Sequence, residues 1–169
     1  TFKPKQVTKK LLSVLPDRAR DVLEKRYGLG PNSETFTLES IGQTYGITRE
    51  RVRQIENYGI TSIQKSDVYK EFSEVFAEIH EALKSLGGVI SERDLLDELA
   101  KDPTVRNHIY FLLVIGDPFH RIKEDDCFAH RWCVEKKVSE IVENALQRIF
   151  DSLDEDELIS EVEIITRLK

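Results

Sequence analysis

No methionine occurs in the 169 residues, cysteine occurs twice and tryptophan once. Two cysteines cannot build the disulfide framework of a small secreted fold, and their scarcity fits a reducing, cytoplasmic setting. A chain that begins at Thr1 without any methionine reads as a piece of a longer protein. With only eight glycines and five prolines, collagen-like and low-complexity material is excluded. Long apolar runs are lacking too. The longest, from Ile109 to Ile115, is well under half of the roughly 18 residues that would cross a bilayer. No basic-then-apolar leader stands at the start, so neither secretion nor a membrane partner is expected. What the sequence does have is charge: 33% of residues are Asp, Glu, Lys or Arg, beside 40% hydrophobic residues. That is the mixture of a globular protein able to bury a core.

The net charge of −6 is unevenly spread. Residues 1–66 hold 12 Lys and Arg against 7 Asp and Glu, residues 67–137 hold 10 against 15, and residues 138–169 hold 3 against 9. Only the first stretch favours a polyanion. The excess of +5 against −11 in one chain also raises the expectation that the acidic part masks the basic part at rest.

Three segments follow from periodicity and punctuation, with bounds 1–66, 67–137 and 138–169. In the first, Pro16 can open a helix whose apolar positions Ala19, Val22 and Leu23 recur at helical spacing, and Gly28 and Gly30 end it. Thr37 can cap a short helix from Leu38 to Tyr45. Gly46 breaks that helix, and Thr48 can cap the next, from Arg49 to about Tyr58. Two short helices about a tight glycine turn outline a helix-turn-helix. In the second segment Phe72, Val75, Phe76, Ile79, Leu83 and Leu86 form one stripe of an amphipathic helix that Gly87 and Gly88 stop. Ser91 can cap a helix to Leu99, and Pro103 opens another to about Leu113. Residues 119–123 and 127–134, about a turn at 124–126, read as a β-hairpin. Three helices and a hairpin make a winged helix. A shift of 63 positions lays the third segment over the second, with Glu92 over Glu155, Leu95 and Leu96 over Leu158 and Ile159, and Glu98 over Glu161. The fold class is therefore all-α with a small β-hairpin wing: a helix-turn-helix module, a winged-helix domain and a partial second repeat.

Enzymatic and metal chemistry find little footing. Cys127, His130 and Cys133 invite a metal reading, but on a strand His130 points away from the two thiols, which would lie roughly 20 Å apart at about 3.3 Å per residue. Zinc needs its ligands to converge within about 2.3 Å of one point. Buried thiols and a packed Trp132 fit the pattern better. Asp154 to Glu157 reads as a helix N-terminus. No triad, phosphate loop or cleft carboxylate pair is evident, so no enzyme, cofactor or metal is expected.

The most informative stretch is Thr48-Arg49-Glu50-Arg51-Val52-Arg53-Gln54-Ile55-Glu56. On a helix, Val52 and Ile55 fall on one face with Gly59 and can pack on Leu38 and Ile41. Arg49, Glu50, Arg53, Gln54 and Asn57 fall on the other. A face of alternating charge is ordinarily only solvated. Here three arginines lie within five residues, beside a helix-turn-helix outline, in the one basic segment. Arg can donate twice to guanine, Glu accepts from the cytosine amino group, and Gln pairs with adenine. Thr48 stands where hydroxyl and backbone N–H groups attract phosphate.

This stretch, together with Leu12, Leu15-Pro16, Tyr27-Gly28-Leu29-Gly30 and Thr37-Leu38-Glu39-Ser40-Ile41-Gly42, resembles region 4 of housekeeping-type bacterial sigma factors over about residues 8–66. The resemblance implies recognition of a −35-like element in double-stranded promoter DNA while docked on RNA polymerase, chiefly on the flap of its β subunit. It further implies that Arg49, Glu50 and Gln54 read bases, and that Arg26, Leu38, Glu39, Thr48, Arg51 and Arg53 approach the DNA backbone. The helix around Leu12 to Tyr27 would face the polymerase. One departure stands out: residues 57–65 carry one basic side chain and an interior glycine where sigma factors have a Lys- and Arg-rich helix. The net charge of −5 on the winged helix favours a further protein partner over DNA; the segment faintly resembles helix-turn-helix modules such as that of the polymerase delta subunit, which implies an accessory interaction surface. The competing readings are an RNA polymerase-binding adaptor and the DNA-targeting part of a larger enzyme.

Overall fold

A computed structural model of the protein describes residues 2–154 and 157–168. The first segment holds α1 (Pro4–Leu12), α2 (Asp17–Tyr27), α3 (Leu38–Tyr45) and α4 (Arg49–Gln64). Pro4 opens α1 at the first turn, where its missing N–H costs nothing, and Val7, Leu11 and Leu12 turn inward. Sequence periodicity alone left α1 unread, because its nine residues interleave lysines with the apolar positions. α3 and α4 start where expected: the Thr37 hydroxyl accepts from Ser40 N and the Thr48 hydroxyl from Arg51 N, each at 3.1 Å.

Gly59 does not interrupt α4, which runs on to Gln64 rather than ending near Tyr58. A Cβ there would stand 3.0 Å from Leu23 Cδ1 and 3.5 Å from Leu15 Cδ1. The glycine thus lets α4 lie close on α2, and this packing offsets the helix propensity it forfeits, about 1 kcal/mol against alanine.

The second segment begins with a short α5 (Asp67–Glu71), and then runs α6 (Ser73–Ser85), β1 (Val89–Ser91), α7 (Glu92–Leu99), α8 (Pro103–Ile115), β2 (His120–Ile122) and β3 (Arg131–Cys133). The strands form one antiparallel sheet in the order β1-β3-β2, with Ile90 opposite Trp132 and Arg121 opposite Trp132. This is the order of a winged helix, and β1 is the strand that sequence reading missed; three residues are too few to show alternation. The hairpin is also shorter than expected. Its connection folds on Asp125, whose Oδ1 accepts from Cys127 N and Phe128 N at 2.9 and 2.8 Å, and that turn ends the pairing. Trp132 and Cys133 are buried as anticipated, whereas the Cys127 thiol is exposed.

One hydrophobic core joins the two segments. Leu11, Leu15 and Leu23 share it with Phe76, Leu83, Leu95, Phe111 and Leu112. The organising element is α8. In a DNA-reading helix-turn-helix the last helix of the motif enters the groove, but here α8 packs on α1 and α2. Tyr27 sets its ring against Tyr110 and Phe111, with centroids 6.1 and 5.1 Å away. The Asn107 amide donates to the carbonyls of Gly28 and Ser33, both at 3.0 Å.

The third segment holds α9 (Lys136–Asp151) and α10 (Glu161–Arg167). α9 starts 63 positions after α6 (136 against 73). The second helix does not keep that register. Its cap, Ser160, stands 69 positions after Ser91, and each hydroxyl accepts from the backbone N–H three residues on. Glu161, which opens α10, thus stands 69 positions after Glu92, which opens α7, later than a shift of 63 would place it. The longer α9, 16 residues against 13 in α6, is part of the cause. The Asp154–Glu157 run expected to open this helix lies partly outside the described residues, at 155 and 156. No helix among the described residues is long and apolar enough to cross a membrane.

Candidate nucleic-acid interface

The candidate surface is built on the turn between α3 and α4. Gly46 adopts a left-handed φ of 62°, a conformation that costs a side-chain-bearing residue about 1–2 kcal/mol. Ile47 N then donates to Gly42 O at 3.0 Å. The turn passes so close that a Cβ on Gly42 would lie 2.6 Å from Ile47 O. With the turn closed, Val52 is fully buried with Val22 and Ile41, and Phe36, Leu38, Tyr45, Ile47 and Ile55 pack around them. The apolar side of α4 is therefore seated as its sequence demands, and the opposite side faces outward. Arg49, Glu50, Arg51, Arg53, Gln54 and Asn57 are all exposed, as is Thr48 at the cap.

Within that face the charges are paired along the helix. Arg53 grips Glu50 with two hydrogen bonds, Nε to Oε2 at 2.9 Å and Nη2 to Oε1 at 2.7 Å. The Arg53 guanidinium holds the Glu50 carboxyl below its ordinary range. Arg51 Nη1 donates to Gln54 Oε1 at 3.0 Å. The Arg49 side chain makes no hydrogen bond or ion pair among the described residues. Both pairs lie on the exposed face of the helix, where such interactions are weak. Each side chain can therefore exchange its neighbour for a base edge or a phosphate at small cost. No acidic side chain beyond residue 66 pairs with Arg49, Arg51 or Arg53 among the described residues.

The other expected backbone residues are arranged differently. Glu39 is exposed on the first turn of α3, next to Leu38, which is half-buried against the small core. Arg26 is drawn inward: its Nη1 donates to Phe36 O and its Nε lies by Glu56 Oε1, both at 3.4 Å. Glu56 is the residue whose role the sequence concealed. It sits on α4 beside the outward Arg/Glu/Gln face, yet it is buried, and the Tyr27 hydroxyl donates to its Oε1 at 2.9 Å. Burial and the nearby Glu56 charge push the Tyr27 hydroxyl well above its ordinary pKa. A second unread cluster borders α3. Tyr45 donates to Asp21, which also pairs with Lys25, and Arg18 lies 4.9 Å from the centre of the Tyr45 ring. Local spacing signals only the Asp21–Lys25 pair, four residues apart on α2; Tyr45 joins it only once α2 and α3 pack.

Helix, glycine turn and outward Arg/Glu/Gln face together are the features on which a family comparison turns. Residues 11–65 match the family described as Sigma-70, region 4. The RNA polymerase sigma factor SigA1 of Synechococcus elongatus is 43% identical over 65 residues, covering 37% of this chain and 16% of that protein. SigA of Nostoc sp. is 44% identical over 66 residues, covering 37% and 17%. SigA of Listeria monocytogenes is 38% identical over 73 residues, covering 41% and 19%. The chain thus spans less than a fifth of the length of these curated relatives. The region 4 match ends at residue 65, one residue after α4, so it takes in the whole helix-turn-helix and none of the winged helix.

Proposed function

We propose that this chain is a DNA-binding transcription protein related to sigma factors, which reads a −35-like promoter element with α4 while associated with RNA polymerase. One observation carries the reading: the outward face of a Thr48-capped helix presents Arg49, Glu50, Arg53 and Gln54 to solvent, uncovered by the other described residues. In the major groove Arg49 donates twice to a guanine, Gln54 pairs with an adenine, and Glu50 accepts from a cytosine amino group. Thr48, Arg51 and Arg53 meet phosphates, and the α4 N-terminus adds its backbone donors. Leu38 and Glu39 approach the backbone from the head of α3. Arg26 does so only with the part of its guanidinium that Glu56 and Phe36 leave free.

The β-subunit flap is the proposed polymerase contact. Leu12, Leu15, Ala19, Val22 and Leu23 are consumed by the chain's own core, so that contact falls to the exposed Pro16, Asp17 and Arg18. A further protein partner for the last segment is favoured by Ile141, Phe150 and Leu158, large apolar side chains left 59%, 69% and 97% exposed. The test of the main reading is a fluorescence titration of the full chain with duplexes carrying or lacking a −35-like sequence. Preference for the former supports it; equal affinity at moderate salt overturns it.

A further inference from the structure

A cavity of about 440 Å³ opens where α1, the loop after α2 and the start of α8 meet. Its size lies in the range of small-molecule sites, about 300–1,000 Å³. Three buried side-chain polar atoms lack a hydrogen-bond partner among the described residues, and two of them belong to side chains that line this one cavity: Thr8 Oγ1 and His108 Nδ1. Thr8 and His108 are 0% and 7% exposed. Buried polar groups are nearly always paired, so two orphans at one cavity call for an occupant.

The rest of the lining states the occupant's chemistry. Lys5 and Lys9 bring two ammonium groups to the wall. Lys5 Nζ donates to Thr104 Oγ1 at 2.7 Å, which holds it at the α8 side. The Lys9 side chain has no hydrogen bond or ion pair among the described residues. Burial and the charge of Lys5 lower the His108 pKa, so at neutral pH the ring is uncharged, with one nitrogen able to donate and the other to accept. Two cations, a hydroxyl and an imidazole suit a group with several anionic oxygens, and lysine is a common binder of phosphate. Glu24 lines the same cavity beside Leu12 and Leu29, positions that suit a hydroxyl and an apolar edge of the body carrying the phosphate.

We propose that this cavity binds a small phosphate-bearing molecule and thereby clamps α1 to α8. The site is separate from the α4 face, so it stands or falls apart from the DNA reading. The test is calorimetric titration of the full chain with ribose 5-phosphate, inorganic phosphate and ribose at matched ionic strength, alongside thermal melts. A saturable 1:1 isotherm and a raised Tm with ribose 5-phosphate, and neither with ribose, are expected. Lys9→Glu weakens binding at least tenfold. Thr8→Val and His108→Leu leave the free protein's Tm equal or higher, because each removes an unpaired buried polar atom, and they weaken binding several-fold. Inorganic phosphate binding as tightly, with the same losses in the variants, supports the site with free phosphate as occupant. Absence of a saturable response to either phosphate probe overturns the proposal, as does full-strength binding in all three variants. Competition by duplex DNA, with Lys9→Glu lowering DNA affinity in parallel, also overturns it, in favour of a backbone phosphate.

Discussion

The Asn107 side-chain amide donates a hydrogen bond to the Gly28 carbonyl at 3.0 Å, across 79 positions of sequence. Gly28 ends α2 in a left-handed conformation, φ 63°, and a Cβ there would meet Asn107 Nδ2 at 2.5 Å. The helix that a winged-helix domain could offer to DNA is thus spent on holding the helix-turn-helix module. Asn107→Ala removes both its hydrogen bonds and leaves the Gly28 and Ser33 carbonyls unpaired. The expected loss is about 1–3 kcal/mol, read as a Tm several degrees lower in thermal denaturation. An unchanged Tm would refute the seam as a source of stability.

Removing single side chains from the α4 face separates reading from holding. Arg49→Ala and Gln54→Ala each lower discrimination between matched and mismatched duplexes by about 1–3 kcal/mol. Arg51→Ala weakens binding to all duplexes alike and flattens the dependence of log K on log salt by about one unit. Fluorescence titrations at two or more salt concentrations measure both effects.

Glu56 sits next to the outward face of α4 but works inward. Tyr27→Phe removes the hydrogen bond to a buried carboxylate and lowers stability by about 1.5–3 kcal/mol in urea denaturation. Loss of DNA binding without loss of stability would contradict this role.

Acid should unfold the winged helix through two paired carboxylates. Burial pushes Glu92 upward, but hydrogen bonds from Arg121 and Trp132 more than offset it and hold the carboxyl below its ordinary value. The Arg131 guanidinium, with the Ser139 hydroxyl, holds Glu143 low. Both folded values lie below the unfolded one, so their stabilisation is complete above the ordinary carboxylate pKa and is lost as pH falls through the depressed values. Denaturation midpoints measured from neutral pH downward should be level and then fall, and Glu143→Gln should make the fall shallower.

Two phenylalanines should respond in opposite ways. Phe111 is fully buried in the shared core and Phe150 is 69% exposed on α9. Phe111→Ala should cost about 3–5 kcal/mol. Phe150→Ser should stay within about 0.5 kcal/mol of the parent and improve solubility at high concentration, as measured by light scattering.

Much of this protein is determined by the sequence alone, because the signals involved are local. Thr37, Thr48 and Ser91 cap helices by reaching a backbone N–H three residues on, and Val52 and Ile55 orient α4 through periodicity within a single element. The outward Arg49, Glu50 and Gln54 follow from the same two rules. Only the tertiary structure decided that α8 is buried against α1 and α2, that Glu56 belongs to Tyr27 and Arg26, that Gly59 is a contact with Leu23, and that Thr8 and His108 meet at one cavity. Each of these joins side chains far apart in the chain. Shape and hydrogen-bond complementarity between whole helices selects such pairs, and no window of neighbouring residues contains that information.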